Sequence, residues 1–285
     1  MGMPGEVKWR ELHELAVGRL GDRQSARWFV EEASGDPWPA VLDQPVTARA
    51  GQAFLSLLER REAGEPVQYV LGHWSFRELD LLVDRRVLIP RPETEVVVDV
   101  ALAELAQLRL AAPLVVDLGT GSGAIALSIA TEEPRVQVWA TDVSPEALAV
   151  ASANLAGLGT LVGGRVRLAQ GDWWSALPEE LKGTVDMVVT NPPYVAGDEL
   201  AGLPAEVWGW EPHAALAGGN CGLEALQAIL AEAPQWVAAR SVLVSELAPS
   251  QTAAATRLAE EAGFHEVTVR QDLAGRDRVL VARSH

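Results

Sequence analysis

The sequence predicts an α/β protein: a doubly wound, mostly parallel sheet of seven strands, preceded by a small helical domain and joined to it by a β-hairpin. Three observations predict it. Apolar runs at 114–118, 136–140, 166–169, 185–189 and 242–247 have helix-length segments after most of them, the pattern of a parallel sheet covered on both faces. Two further strand-like runs, 266–269 and 279–282, are too close together for a helical crossover and imply an antiparallel pair at the sheet edge. The N-terminal quarter lacks such runs and carries apolar residues at helical spacing instead. With 285 residues, 48% of them hydrophobic and 22% charged, the chain can bury the cores of two globular domains.

Trp9, Leu12, Leu15, Ala16 and Leu20 recur at spacings of three and four, one face of an amphipathic helix. A second helix is expected around 24–33, ended by Ser34-Gly35-Asp36-Pro37, and a third from near Thr47, carrying Phe54, Leu55 and Leu58. These faces carry no chemistry and read as the core of a bundle that packs or recognises a partner. "WSFRELDLLVDRRVLIP" is rich in strand formers and is expected to form the hairpin, with Asp84-Arg85 at its turn. The expected domains are therefore 1–71 (helical, substrate recognition), 72–90 (hairpin linker) and 91–285 (the α/β domain).

"VVDLGTGSGAIALSIA" sets Gly119, Thr120, Gly121, Ser122 and Gly123 between a strand and a helix, where glycines let a ligand approach main-chain N–H groups. Asp142 ends the next strand, "VQVWATD", where a carboxylate can accept from both ribose hydroxyls of a nucleotide. NAD and S-adenosyl-L-methionine both suit such a turn. The spacing Gly-x-Gly-x-Gly departs from the dinucleotide form, and Asp117 just ahead of the loop suits a cationic amino-acid moiety better than a pyrophosphate, which favours S-adenosylmethionine. In "QGDWWSAL", Asp172 ends the third strand and can accept from an adenine amino group; one of Trp173 and Trp174 is expected to touch the cofactor, although both would also serve as core.

The stretch "VVTNPPYVAG" stops the fourth strand abruptly, because Pro192 and Pro193 cannot donate to a ladder. It faces the same crevice as the glycine loop. A planar amide or aromatic amine has a nitrogen lone pair delocalised into its neighbour and is a poor nucleophile. If the Asn191 side-chain oxygen and the Pro192 carbonyl accept its two hydrogens, the nitrogen is fixed in line with a methyl donor. Pro193 leaves no adjacent donor to compete for that carbonyl, and Tyr194 can pack on the substrate or near the sulfonium.

"NPPY" with "DLGTGSG" resembles the amino-group methyltransferases, which act on adenine N6 or on glutamine N5. Residues 65–95, "EPVQYVLGHWSFRELDLLVDRRVLIPRPETE", narrow the resemblance to the release factor glutamine methyltransferases, and "DVSPEALAVASANL", "GDWWSAL", "EPHAALAGG" and "DLAGRDRVLVA" extend it over nearly the whole chain. It implies a Rossmann-like class I methyltransferase domain of seven strands and methylation of the glutamine in the Gly-Gly-Gln motif of peptide-chain release factors. Within that resemblance, Gly119 to Gly123, Asp142 and Trp173 are expected to bind the cofactor, and Asp117, Asp172 and Asn191 are expected to join them. Asn191, Pro192, Pro193 and Tyr194 hold the substrate, with Asn191, Pro192 and Tyr194 as the catalytic set. Arg91, Pro92, Glu93 and Thr94 are expected near the cofactor mouth or simply as a helix start. The chain departs from the family pattern at Thr190, where Ser is frequent, at Cys221, where an acidic residue is usual, and at Ala248-Pro249, where a Gly is usual. Glutamine on a ribosomal protein and adenine N6 on nucleic acid are the alternative substrates.

A formal net charge of −16 works against a partner held through phosphates, so no direct nucleic acid contact is expected. A single cysteine, Cys221, and a charged N-terminal stretch, "MGMPGEVKWRELHEL", lead to the expectation of a cytoplasmic protein, acting as a monomer and without a membrane span. The five histidines lie far apart, so no metal is expected, and a Ser or Cys nucleophile lacks its strand-turn-helix elbow.

Overall fold

The computed structural model describes residues 7–284, so the first six residues of the expected helical domain and of the charged N-terminal stretch lie outside the described residues. The chain forms two compact units, Met1–His73 with Pro204–Trp210, and Trp74–Leu203 with Glu211–His285. The expected division put the hairpin between two domains. From Trp74 onward it belongs instead to the second unit, and the first takes in a short segment from far along the chain.

The first unit contains α1 (Trp9–Leu20), α2 (Arg23–Ser34), α3 (Ala48–Glu62) and α4 (Val67–Leu71). Asp22 caps α2 by accepting from the backbone N–H of Gln24 and Ser25, Gly35 ends it in the left-handed region, and Thr47 caps α3 by accepting from Ala50 N. Its core gathers Trp9, Ala16, Phe29, Val30, Phe54 and Leu58, with the Trp9 and Phe54 rings edge to face at 6.1 Å. Leu15 and Leu55, expected on the buried faces, are exposed. The buried stripe of α1 runs through Trp9 and Ala16, and that of α3 through Phe54 and Leu58; each exposed leucine is one residue, about 100°, off its stripe.

The second unit opens with the hairpin strands β1 (His73–Phe76) and β2 (Leu79–Leu82). Its turn is at Arg77, with φ 52°, and not at Asp84-Arg85. The Arg77 side chain offsets the backbone cost by pairing with Glu132 and Asp99, whereas Asp84 makes a later turn by accepting from Arg86 N. There follow α5 (Pro92–Leu108), β3 (Leu114–Leu118), α6 (Ala124–Glu132), β4 (Gln137–Asp142), α7 (Pro145–Gly157), α8 (Gly159–Gly163), β5 (Val166–Gln170) and β6 (Val185–Thr190). After α9 (Ala205–Trp210), which packs within the first unit, come α10 (Glu224–Trp236), β7 (Val237–Glu246), α11 (Thr252–Glu261), β8 (Glu266–Gln271) and β9 (Asp277–Arg283). A 3₁₀ turn, Pro249–Gln251, leads into α11, so the Ala248-Pro249 departure leaves a helix start in place.

The seven strands lie in the order β5-β4-β3-β6-β7-β9-β8, parallel except for β9, which runs antiparallel to both β7 and β8. The predicted sheet and its antiparallel edge are both present. The chain winds outward from β3 to β5 and restarts at β6 on the other side of β3, which makes the carboxyl ends of β3 and β6 the switch point where such sheets bind ligands. Register sets the groups there at one level: Leu118 pairs with Thr141 on one side and Thr190 on the other, so Gly119, Asp142 and Asn191 leave the sheet side by side. Beneath them, Val116, Leu118, Val188 and Leu243 pack with Trp174, Ile229 and Trp236.

Candidate active site

The loop after β3 is held from β4. Gly119 N and Thr120 N donate to Thr141 O at 2.9 and 2.8 Å, and Gly121 N donates to Asp142 Oδ2 at 2.9 Å. Gly119 has φ 78°, and a Cβ there would sit 3.5 Å from the Trp173 ring. That distance is ordinary contact, so it is the left-handed backbone and not the ring that calls for glycine here. Of the predicted site residues, Gly119, Thr120, Gly121, Ser122, Asp142, Asp172, Trp173, Asn191 and Pro193 line one cavity.

Asp117, Gly123, Pro192 and Tyr194 are not part of that lining. Asp117, expected to face a cationic moiety, is fully buried beneath the loop. Its Oδ2 accepts from Thr120 Oγ1 at 2.7 Å and from Ala126 N at 3.2 Å, so it ties the loop to the first turn of α6, while its Oδ1 is buried with no partner. Burial pushes its pKa up to about 7, against the pull of those two donors. Gly123 is the N-cap of α6, where a Cβ would meet Leu127 at 2.9 Å.

The tandem tryptophans divide. Trp174 is core: it stacks on Trp236 at 5.6 Å and donates its ring N–H to Ile229 O at 2.9 Å. Trp173, at φ 46°, turns the other way and lines the cavity. Both lie in one tight 3₁₀ turn, Trp173–Ala176.

β6 ends with Thr190 donating to Leu118 O at 2.7 Å, a bond a serine would also make. Asn191 Nδ2 donates to Thr94 Oγ1 at 3.3 Å; Thr94 Oγ1 donates to Glu246 Oε2 at 2.7 Å; the Tyr194 hydroxyl donates to Glu246 Oε1 at 3.1 Å. Burial raises the pKa of Glu246, opposed by the two hydroxyl donors and by Arg278, and burial followed by the neighbouring Glu246 charge raises that of Tyr194. The backbone of the Asn-Pro-Pro-Tyr loop is buttressed from behind. Gln251 Nε2 donates to Tyr194 O at 2.8 Å and Gly222 O at 3.0 Å, and a Cβ on Gly222, at φ 74°, would stand 2.3 Å from Tyr194 O.

Arg91 to Thr94 form a helix start, and of the four only Thr94 reaches the cavity. Pro92 is the first residue of α5; Arg91 pairs with the buried Glu211, which also accepts from Ile89 N at 3.2 Å; Thr94 lines the cavity. Cys221 is exposed, donates its thiol to Glu224 and is not part of the cavity lining; its carbonyl accepts from Gln251 Nε2 at 3.4 Å. Sequence reasoning missed Glu246, Gln251, Glu211 and Gly222. Glu211 opens "EPHAALAGG", a stretch that carries the family resemblance, whereas Glu246, Gln251 and Gly222 lie in the stretches around Ala248-Pro249 and Cys221 where the chain departs from the family pattern.

The lining suits S-adenosylmethionine better than a dinucleotide. Each Asp142 oxygen has one backbone donor, from Gly121 or Ser144, leaving lone pairs for ribose hydroxyls. Its one basic residue, Arg86, is held by Asp84 at 2.6 Å, and Ile125, Val143, Ala147 and Trp173 supply apolar surface for a base. Among the described residues, no group of three or more His, Cys, Asp or Glu is arranged to hold a metal ion. This sheet order, with a glycine loop after β3 and an acid at the end of β4, defines a class I S-adenosylmethionine-dependent methyltransferase.

Residues 98–205 match the methyltransferase small domain family and residues 21–72 the PrmC N-terminal domain family. The chain is 42% identical over 242 residues to the release factor glutamine methyltransferase of Cereibacter sphaeroides, covering 85% of this chain and 83% of that one. With its namesake in Gloeobacter violaceus it shares 38% over 279 residues, 96% and 95% of the two chains. It belongs to the release factor glutamine methyltransferase family. Among solved structures, the hMettl16 catalytic domain (TM-score 0.58, 14% identity, 83% of this chain and 82% of that one) and a methyltransferase from Pyrococcus furiosus (TM-score 0.53, 17% identity, 73% and 90%) share the fold. No helix among the described residues is long and apolar enough to cross a membrane.

Proposed function

We propose that this chain transfers the methyl group of S-adenosyl-L-methionine to the side-chain amide nitrogen, N5, of the glutamine in the Gly-Gly-Gln motif of peptide-chain release factors. The observation that carries the reading is the Asn191-Pro192-Pro193-Tyr194 loop, which leaves β6 beside the glycine loop and contributes Asn191 and Pro193 to the same cavity. When bound, S-adenosylmethionine supplies a methyl group activated by a sulfonium. The chain's own residues do the rest by holding and aligning. Asp142 takes the ribose hydroxyls, Gly119 to Gly123 present backbone to the ligand, and Asp172 and Trp173 hold the base. Asn191 Oδ1 and the Pro192 carbonyl accept hydrogen bonds from the two amide N–H groups of the glutamine, which turns the nitrogen lone pair toward the methyl and draws it out of conjugation. The nitrogen gives up one of these two hydrogens to solvent as a proton once it carries the methyl. Pro193, without an N–H, leaves the Pro192 carbonyl free for the substrate. The first unit, with its match to the PrmC N-terminal domain, recognises the release factor. One chain carries both cavity and acceptor loop, which supports action as a monomer, and a translation factor as substrate supports action in the cytoplasm.

The test is incubation with methyl-labelled S-adenosylmethionine and, separately, a release factor, a ribosomal protein and DNA. Label on the release factor, mapped by mass spectrometry to the glutamine of Gly-Gly-Gln, is expected; label on the ribosomal protein or on DNA alone overturns the assignment.

A further inference from the structure

Asn191 must present its oxygen, and not its NH2, to a glutamine amide that brings two N–H donors. The two ends of a carboxamide are nearly the same size, so packing alone does not tell them apart. Polarity does. Asn191 Nδ2 lies 3.3 Å from Thr94 Oγ1, and Thr94 gives its single hydrogen to Glu246 Oε2 at 2.7 Å, which leaves its oxygen only as an acceptor. Glu246 Oε1 accepts from the Tyr194 hydroxyl at 3.1 Å, so both carboxylate oxygens are engaged as acceptors. Thr94 borders the cavity but is only 3% exposed, and Glu246 is 1% exposed, so the bond between them is largely shielded from water. The bonds therefore run one way, from Asn191 through Thr94 to Glu246, and a flipped Asn191 would set its oxygen against the lone pairs of Thr94. Glu246 is also linked to residues at both ends of the Asn-Pro-Pro-Tyr loop, through Thr94 to Asn191 and directly to Tyr194. Neither residue is part of that loop: Thr94 lies in the first turn of α5, and Glu246 is the last residue of β7.

We propose that Thr94 and Glu246 are positioning residues that fix which end of the Asn191 amide meets the substrate; this rests on the reading that Asn191 holds the glutamine amide. Neither needs to touch the substrate. The separation of roles predicts an effect on turnover and not on binding.

The test uses Thr94→Val, which keeps the shape and removes the hydroxyl, Thr94→Ser, which restores it, and Glu246→Gln, which can turn either an oxygen or an NH2 to Thr94. Each variant is assayed for S-adenosylmethionine affinity by calorimetry and for kcat and KM with intact release factor. Thr94→Val should lower kcat about tenfold, equivalent to about 1.4 kcal/mol, with KM and cofactor Kd within about twofold of the parent. Thr94→Ser should recover most of the loss, and Glu246→Gln should fall between Thr94→Val and the parent. Parent kcat in Thr94→Val, a loss confined to KM or cofactor affinity, or a Thr94→Ser variant as slow as Thr94→Val overturns the proposal. Parent kcat in Glu246→Gln removes the carboxylate from it. Failure of the underlying reading looks different, because Asn191→Ala would then methylate glutamine at the parent rate whatever the Thr94 and Glu246 variants do.

Discussion

Replacing Asp142 by Ala should weaken cofactor binding by at least about 10²-fold. The carboxylate is half-buried at the end of β4, and each oxygen has one backbone donor at 2.9 Å, Gly121 N on Oδ2 and Ser144 N on Oδ1. The remaining lone pairs are those that two ribose hydroxyls would use. A hydrogen bond to a charged group contributes about 1.5 to 3 kcal/mol, so losing two removes about 3 to 6 kcal/mol. At about 1.4 kcal/mol per decade, the lower figure alone is about two decades. Loss of the Gly121 tether adds to it by loosening the loop. Calorimetry with S-adenosylmethionine and with S-adenosylhomocysteine should show the same loss for both, because they share the ribose and differ at the sulfur. A folded variant that binds both with parent affinity would take Asp142 out of the site; a loss confined to S-adenosylmethionine would assign the carboxylate to the sulfonium instead.

Two further perturbations test other parts of the site. Gly222→Ala forces a side chain at φ 74° into a position 2.3 Å from Tyr194 O and 2.4 Å from Gln251 Nε2, so the acceptor loop must shift. Methyl transfer should fall at least about tenfold with cofactor affinity unchanged, since misplacement by about an ångström is enough to lose that much; a fully active variant would show that the loop does not depend on this buttress. Asp117 gives the ligand-free enzyme a pH signature. Its folded pKa of about 7 lies above the unfolded value, so the folded state holds a proton that unfolding releases, and its contribution to stability falls as pH rises from about 4 to about 7. Asp117→Asn removes that titration. Relative to the parent, the variant should therefore gain thermal stability between pH 5 and pH 8, and a difference that stays constant across this range would mean that Asp117 is ionised throughout.

What the sequence made legible was what periodicity and short spacing encode. The seven strands fall on its apolar runs, and the glycine loop, Asp142 and Asn191 come together because each directly follows a strand that the sheet sets in register. Contacts made across the fold left no such trace. Glu246 meets Thr94 across 152 positions of sequence, and nothing local marks a glutamate at a strand end as a partner of the acceptor loop. The hairpin turn was misplaced because Asp84-Arg85 has better turn chemistry than Arg77, whose left-handed backbone is offset only by distant acids. Asp117, expected from its position ahead of the loop to face the cofactor, instead accepts from Thr120 Oγ1 and Ala126 N and does not line the cavity. Trp173 and Trp174 were indistinguishable until the 3₁₀ turn sent one to the core and the other to the ligand side.

The central claim is that Asn191 holds a glutamine amide for methylation, and single-turnover methyl transfer to intact release factor with the Asn191→Ala and Asn191→Asp enzymes tests it most directly. Alanine removes one acceptor and leaves the prolines, the strand and the glycine loop in place, so cofactor affinity should be kept while the rate falls at least about 10²-fold, the scale of one preorganised group lost at a reacting centre. Aspartate keeps an acceptor but sets a negative charge near the sulfonium, which favours the ground state over a transition state whose positive charge is dispersing. Cofactor binding should then be equal or tighter and the rate again reduced. Parent rates in both variants would contradict the account.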